Sequence, residues 1–569
     1  MHKHARPWWR DEMRKRPGGR DHDSQWWREA VIYQICPWSF QDSTGSGTGD
    51  LGGIISRLDY INSLGVDAIW LTPINTSPMD DLGYDITDLC AIGSAFGDMD
   101  QFRLLLDLAH RRGLRVLLDG VWNHTSEQHP WFVESRGSRC NPRSDWYLWA
   151  DPAPDGGPPN NWRSAFSGVS GWHLDDMRGQ YYWASFLPSQ PDLNWHHPEV
   201  RATVLTSMRF WLDLGVDGFR VDAVNFFTQD PELRDNPPRR RSDRRPDGVA
   251  LSNPLARQLL VNSFNRDETF DYLAPMRQLV DEYPGTVLLG EVTLCEDSVK
   301  LAAAYTRGPR RLQMAYHSGL LSDAPLRAPL VRELVDRVLS EFGDSGACWI
   351  VGNHDYGRLR TQWGGKKRDL GDDFYRMVAT LLVCLPGALV LWQGDELGLP
   401  EAKIPGEIRK RDLKDPFGKL LYPKLKGRDG SRTPMPWDDR LDHGGFTTGT
   451  PWLPVPPRHL ARSVRLQDLD PDSLLNHWRQ LLSWRRGQPA LQYGTTELLS
   501  LRAPLLGLLR RAHGQRLVCV FNLSARTVGS SLPGLPIAAQ VNGLVEGAIW
   551  DGKRLTLPPW GVFLAQLEA

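Results

Sequence analysis

Charged and hydrogen-bonding residues recur along this chain at the ends of short apolar runs, and their types limit the chemistry open to them. In GVDGFRVDAV (215–224), Arg220 and Asp222 sit two apart between Phe219, Val221 and Ala223. That spacing puts both side chains on one face of a strand. VLLDGVWNH (116–124) carries Asp119 and ends in Asn123 and His124, VLLGEVT (287–293) carries Glu291, and ACWIVGNHD (347–355) ends in Asn353, His354 and Asp355. A buried charge without a partner or a task is expensive, so carboxylates, histidines and an arginine in such runs point to a working site.

Two chemistries suit the set. One is a divalent-metal centre for hydrolysis or phosphoryl transfer, but the histidines form no HxH pair and no lysine stands at a strand end. The other is glycosidic cleavage, in which one carboxylate attacks the anomeric carbon and a second, kept protonated, serves the leaving oxygen. Arg220 is expected to hold Asp222 ionised, as a nucleophile requires. Glu291, in its apolar setting, is expected to have a raised pKa, as an acid requires. The residues favour the glycosidic reading and leave the metal reading open.

The elements that must position these residues repeat. Helical patterns at 54–66, 101–114, 202–215 and 270–285 each lead into a short apolar strand, at 68–73, 116–124, 218–224 and 287–293. VIYQICPWSF (31–40) reads as the first strand, and 347–355 and 387–396 as later ones. Helices alternating with continuously apolar strands mean a parallel sheet covered on both faces. The number of repeats predicts an α/β fold, a closed (β/α)₈ TIM barrel, with catalytic groups at the C-terminal ends of its strands. The barrel is expected over 25–124 and 196–487, after a disordered extension at 1–24. Residues 125–195, rich in Pro, Gly, Asn and Trp without helical period, read as an inserted subdomain. Residues 488–569 read as a C-terminal antiparallel β-domain. The Arg- and Pro-rich run 233–254 reads as a solvated loop, and the 24 tryptophans as an aromatic core before sugar platforms.

Bulk properties narrow the partners. The 569 residues carry 67 Lys and Arg against 68 Asp and Glu, which argues against nucleic acid or an anionic membrane as the main partner. Seven dispersed cysteines with no CxxC read as free thiols in a reducing compartment. The N-terminus has no apolar h-region, and 380–392 is broken by Pro386 and Gly387, so a cytoplasmic protein is expected.

DGVWNH (119–124), GFRVDAV (218–224), GEVT (290–293) and VGNHD (351–355) resemble, in order and spacing, the four signature regions of the α-amylase family, glycoside hydrolase family 13. QPDLN (190–194), GYDITD (83–88), LWQGDELGLPEA (391–402) and GRDGSRTPMPW (427–437) resemble its α-glucosidase and oligo-1,6-glucosidase branch. The resemblance, which runs from about Trp26 to the end, implies Asp222 as nucleophile, Glu291 as general acid and then base, and Asp355 as the stabiliser of an oxocarbenium-like transition state. It implies that His124 and His354 bond the terminal glucose, that Tyr84 stacks on it, that Asp85 with Arg432 closes the pocket behind it, and that Phe166 and Arg220 belong to the substrate-binding set. The implied activity is exo-acting, retaining release or transfer of α-glucosyl units from small saccharides to water or to sugar and alcohol acceptors, by a monomer or homodimer. A transglucosylase, a sucrose-acting or isomerising relative, and a non-catalytic binding subunit remain alternatives.

Two positions depart from the branch. DSTGSGTGD (42–50) resembles a calcium or magnesium loop with Asp42, Thr44, Ser46, Thr48 and Asp50 as tentative ligands, but Ser46 replaces an acid and weakens a hard-cation site. No cofactor is needed for the chemistry. Ala223 follows the nucleophile where valine resembles the α-1,6-preferring enzymes, so strict isomaltose specificity is not expected. MAYHSGLL (314–321) also differs from the branch, with no account from the sequence.

Overall fold

The structure, a computed structural model, describes residues 21–569 except 248, 250–252, 322–323, 344, 365–368, 406–407, 423–426, 533 and 569. Of the extension expected to be disordered, 1–20 lies outside the described residues, and Asp21–Glu29 forms a 3₁₀ helix.

Eight parallel strands close into a barrel: β1 (Val31–Ile35), β2 (Ala68–Leu71), β3 (Arg115–Gly120), β4 (Gly218–Val221), β5 (Val287–Glu291), β6 (Met314–Tyr316), β7 (Gly346–Ile350) and β8 (Ala388–Trp392). Each pairs with its sequence neighbours, and β8 returns to β1 with Val31 opposite Leu389. The expected sequence strand at 31–40 stops at Ile35, because Pro37 opens a short helix, Pro37–Phe40. β6, the MAY of MAYHSGLL, is too short to carry a periodic signal.

Each strand is delivered by a helix with a readable boundary. The helix Pro198–Leu214 starts with proline at its first position after His197 and ends at Gly215 in the left-handed region, φ 107°. Val200, Val204, Met208, Trp211 and Leu212 give it one buried stripe. Gly218 then begins β4 against β5, where a Cβ would meet the Val287 carbonyl oxygen at 2.1 Å. Only glycine lets the strand bearing Arg220 approach that closely.

Inside the barrel the two-residue alternation stacks an apolar layer beneath a polar one. Ile32, Ala68, Leu117, Leu289, Met314, Cys348 and Val390 belong to one buried cluster, against which Trp26 and Trp27 pack. Two residues further along the strands come Gln34, Trp70, Asp119, Glu291 and Tyr316, with Arg220 on β4. Among the described residues seven tryptophans, including Trp70, Trp162 and Trp392, are fully buried and serve the core.

Residues 125–195 contain a three-stranded antiparallel sheet, Trp149–Ala150, Gln180–Trp183 and Trp172–Asp175. They also hold a helix, Pro130–Gly137, that the sequence reading lacked; its apolar face is too small to print a period. Near the C-terminus a five-stranded antiparallel sheet (Thr495–Leu499, Leu505–Ala512, Gln515–Asn522, Val562–Leu567, Ile537–Gln540) and a three-stranded one share a core around Leu509, Val520, Leu555 and Phe563. Among the described residues, no helix is long and apolar enough to cross a membrane.

Candidate active site

The polar layer is organised by one arginine. Asp119 lies in register opposite Arg220, and Glu291 opposite Tyr316. Arg220 Nη1 donates to Asp119 Oδ1 at 2.7 Å and to Asp222 Oδ1 at 2.5 Å, and Nη2 stands 2.6 Å from Glu291 Oε2. Nη2 also donates to the Tyr316 hydroxyl at 2.8 Å, and the guanidinium lies 5.0 Å from the Trp70 ring centre. Trp70 Nε1 and the Tyr84 hydroxyl donate to Asp119 Oδ2.

One buried cation therefore faces three buried carboxyl groups. Ionising all of them would leave two charges uncompensated away from water, which opposes full ionisation of the set. Burial pushes Asp119 up to about 6, with Arg220 opposing. Burial also raises Asp222 well above the carboxylate range; Arg220 opposes this, and Glu291 and Asp119 add to it. This corrects the expectation that Arg220 singles out Asp222 for ionisation: the same guanidinium serves Glu291 equally.

β4 ends one residue before Asp222, whose N–H donates to the Gly120 carbonyl at 3.1 Å. Ala223 then turns left-handed, φ 44° and ψ 42°, and its N–H donates to Glu291 Oε2 at 3.0 Å. That conformation costs a non-glycine residue about 1–2 kcal/mol. It aims a backbone donor at one carboxyl group while the preceding side chain carries the other.

The loop after β7 supplies the facing wall. Asn353 Oδ1 accepts the N–H groups of Asp355 and Tyr356 and fixes the turn. Gln34 Nε2 lies 2.8 Å from His354 Nδ1, so the ring proton sits on Nε2, which lies 2.7 Å from the Tyr84 hydroxyl. Tyr84 stacks on His354 at 5.2 Å and 6°. Burial carries His354 well below its ordinary pKa; Asp355 opposes, while Arg432, Arg220 and Arg428 add to the fall. At Asp355 burial opposes ionisation, but His354, Arg428 and Arg432 outweigh it and hold the carboxyl below its ordinary range.

Arg428 closes one side of the space between these groups. Its Nε and Nη2 donate to Asp415 Oδ1 at 2.9 and 2.7 Å, Nη2 reaches Asp81 Oδ1 at 3.5 Å, and Nη1 pairs with Asp355 Oδ1. Its guanidinium lies 5.2 Å from the centre of the Phe166 ring. Asp81, pushed up to about 6 by burial with Arg428 opposing, also accepts from Gln190 Nε2 at 3.1 Å.

Residues 34–494 match the family described as alpha amylase, catalytic domain. The chain belongs to the α-amylase family. A probable alpha-glucosidase of Rhizobium meliloti (strain 1021) is 43% identical over 545 residues, covering 96% of this chain and 98% of that protein. Among solved structures, the alpha-glucosyl transfer enzyme XgtA is 45% identical with a TM-score of 0.91, covering 95% of this chain and 99% of that one. An isomaltulose synthase mutant from Erwinia rhapontici NX5, in complex with its natural substrate sucrose, is 31% identical with a TM-score of 0.84, covering 96% and 99%.

Within this α-amylase-family barrel, Asp222, Glu291, Asp355, Arg220, His354 and Tyr84 come together, and one expected pairing needs correction. Asp85 does not close the pocket with Arg432. It is fully buried, and its carboxylate accepts from Ser77 Oγ and the N–H groups of Asp80 and Asp81, which shapes the turn. Arg432 donates to the His354 carbonyl at 2.5 Å and to Asp355 at 3.1 Å. The closing pair is Asp81 with Arg428. Arg428 is the first arginine of the GRDGSRTPMPW motif, and Asp81 stands two residues before GYDITD.

His124 is buried, lies 5.3 Å from Phe186, and has its Nε2 3.0 Å from the Tyr84 carbonyl oxygen. That bond joins the 119–124 and 83–88 motifs. Burial lowers His124 to about 4. Phe166 is half-buried against Phe186, with ring centres 5.3 Å apart.

The 42–50 loop does not fit a divalent cation. Asp42 accepts the N–H groups of Thr44, Gly45 and Gly47 at 2.8, 2.9 and 2.7 Å, plus the Thr447 hydroxyl at 2.5 Å. Asp50 accepts from Ser43 and, as a helix cap, from the Gly53 N–H at 2.6 Å. Ser46 Oγ is spent on Thr48, donating to its carbonyl at 3.1 Å. Donors aimed at both carboxylates occupy the lone pairs that a hard cation would need. Among the described residues, no group of three or more His, Cys, Asp or Glu side chains is placed to hold a metal.

Proposed function

We propose that the protein is a retaining, exo-acting α-glucosidase that releases α-glucosyl units from small α-glucosides and also transfers them to acceptors. The observation that carries this reading is the grip of Arg220 on Asp222 and Glu291 through neighbouring nitrogens, at 2.5 and 2.6 Å. Two carboxyls held by one guanidinium lie close, as a retaining pair must, at roughly 5 Å.

In this mechanism Asp222 attacks the anomeric carbon and forms a glucosyl ester while Glu291 gives its proton to the departing oxygen. Water or another hydroxyl then enters, Glu291 takes its proton, and the ester bond to Asp222 breaks. Asp355, held ionised opposite, stabilises the positive charge that develops on the ring. Neutral His354, with its proton on Nε2, fixes the Tyr84 hydroxyl at 2.7 Å beside it. The Asp81–Arg428–Asp355 bridge blocks the space behind the first sugar, which fits removal of single units from a chain end.

A second reading, a sucrose-acting isomerase, draws support from the likeness to the isomaltulose synthase, since isomerisation shares the first half-reaction. The finer assignments, a cytoplasmic location, sugar or alcohol acceptors and a monomeric or homodimeric state, belong to this proposal. Product analysis on maltose, isomaltose and sucrose with linkage assignment tests it: glucose with retained α-configuration is expected. Turnover of sucrose into an isomer without glucose would favour the second reading, and no glucose from any of the three would overturn the first.

A further inference from the structure

We infer that Gln34, buried on β1, is a positioning residue for the sugar-facing wall. Its amide donor sets the direction of a hydrogen-bond chain through His354 and Tyr84 to Asp119, and turns a ring N–H toward Asp355. This role rests on the glucosidase reading above, which gives the space beside His354, Tyr84 and Asp355 to the first sugar.

Gln34 is fully buried in the polar layer, with Trp392 of β8 and Trp70 of β2 in register beside it. The same two indoles flank the buried His354 ring, at 6.4 and 6.2 Å between ring centres. Inside this indole frame Gln34 Nε2 donates to His354 Nδ1 at 2.8 Å. Turning the amide over keeps its shape and would instead set Oε1 against an Nδ1–H. Polar balance decides against that. Gln34 Oε1 has no hydrogen-bond partner among the described residues, so the reversed amide would bury an NH₂ group with both donors unmet. The present orientation leaves one acceptor short, which buried groups tolerate better than an orphaned N–H.

With Nδ1 accepting, the ring proton is on Nε2. Nε2 lies 2.7 Å from the Tyr84 hydroxyl and 3.1 Å from Asp355 Oδ2. The Tyr84 oxygen therefore accepts, and its own proton goes to Asp119 Oδ2 at 2.9 Å. Asp119 Oδ1 takes Arg220 Nη1 at 2.7 Å, which ends the chain on the guanidinium shared by the working carboxyls. Arg428 and Arg432 serve Asp355 Oδ1, and the imidazole N–H faces its other oxygen.

The opposite tautomer would break this chain at two points. Tyr84 would donate to a bare Nε2, and Asp119 Oδ2 would keep Trp70 Nε1, at 3.1 Å, without the tyrosine. The Nε2 lone pair would also stand against the Asp355 carboxylate, two acceptors in contact where the local dielectric is low. Protonating both ring nitrogens offers no escape. Burial lowers the His354 pKa, Arg432, Arg220 and Arg428 add to the fall, and Asp355 opposes it.

The test reads the tautomer and its consequence separately. ¹⁵N spectra of the full chain carrying labelled histidine, with His354→Gln to assign the signal, should show Nδ1 unprotonated in the wild type. Gln34→Glu keeps the shape and makes the donor titratable. Protonated, its O–H gives to Nδ1 as the amide does; ionised, it accepts from Nδ1 and reverses the tautomer. Burial raises the pKa of such a glutamate, so both forms fall in a working range. Its kcat/KM on maltose, relative to wild type, should fall as pH rises, from near parity at about pH 5 to about tenfold or more below at about pH 8. Gln34→Leu, which has no polar atom to offer, should lose about tenfold at every pH. A side chain needed only to fill space would show no such slope. A proton on Nδ1 in the wild type, a Gln34→Glu ratio independent of pH, or full activity in Gln34→Leu each overturns the inference. If Gln34→Glu does not fold, the spectrum and Gln34→Leu still decide. If no glucoside is turned over at all, the glucosidase reading fails, while the spectrum still assigns the proton.

Discussion

Arg220 holds Glu291 at 2.6 Å as tightly as it holds Asp222 at 2.5 Å, and with Asp119 beneath them the three carboxyl groups share one guanidinium. The shared cation therefore does not by itself distinguish the two working carboxyls. What separates the two working residues is the backbone: Ala223 turns left-handed directly after Asp222 and donates its N–H to Glu291.

Arg220→Lys keeps one positive charge but loses the fork. A lone ammonium cannot pair with three carboxyls at once, and breaking a buried pair costs about 3–5 kcal/mol. Thermal unfolding should shift down accordingly, and activity should fall far more than fold content does. A variant with wild-type kcat and Tm would show that the shared guanidinium is dispensable.

Asp222→Asn should abolish turnover on every glucoside while leaving circular dichroism unchanged. Glu291→Gln should lose about 10²–10⁴-fold on maltose but much less on 2,4-dinitrophenyl α-glucoside, whose leaving group needs little proton help. Equal losses on the two substrates would remove Glu291 from the acid role.

How much of this was legible follows from how far each residue's position depends on neighbours in sequence. Asp119, Arg220 and Glu291 were readable because strand alternation fixes their face and the apolar runs fix their depth. Phe219, Val221, Leu288 and Val292 announce the strand ends without help from the rest of the fold. Arg428 was not chosen although its motif was, and Asp81 lies just outside the motif that was read, because Asp85 and Arg432 are equally polar and only loop geometry decides which reaches the pocket. Met314–Tyr316 was missed as a strand because three residues carry no period. Leu294 gave no signal at all: its φ of 51° goes with carbonyls at 293 and 294 held by Asn225 and Asn265, which are distant in sequence.

Arg428→Lys tests the closing bridge. Asp415 fixes the guanidinium through two N–H groups, a geometry that lysine cannot reproduce. KM for maltose should rise about tenfold or more, since a charge-assisted bond is worth about 1.5–3 kcal/mol. Steady-state kinetics on maltose and maltotriose would show it; an unchanged KM for both would detach Arg428 from substrate.

Removal of divalent cations should change little. With Asp42 and Asp50 already engaged by N–H and O–H donors, EDTA followed by added calcium should leave Tm and kcat where they were. Specific binding stabilises the folded state by RT ln(1 + [L]/Kd), about 2.7 kcal/mol at a hundredfold excess over Kd, so a bound ion would be plain in a melt. A Tm that climbs with calcium concentration would show that the loop reopens for a cation.

Asp395, just past β8, gives the clearest pH prediction for stability. It is 2% exposed, both carboxyl oxygens lack a hydrogen-bond partner among the described residues, and Arg358 Nη1 stands 4.0 Å away. Burial pushes its pKa up to about 7, with Arg358 opposing and Glu396 and Glu401 adding to the rise. The folded state thus keeps this proton over a range in which the unfolded chain, with an ordinary aspartate near 4, has lost it. Where the folded state binds more protons, stability falls as pH rises. The Asp395 contribution should therefore decline from about pH 4 to pH 7 and level off above, by a few kcal/mol in all. Asp395→Asn removes that slope without changing the side-chain volume. The stability of the variant relative to wild type should rise steadily between pH 4 and 7 in urea titrations, then stay constant. A difference independent of pH across that window would mean that Asp395 is ionised throughout, paired more closely with Arg358 than 4.0 Å allows.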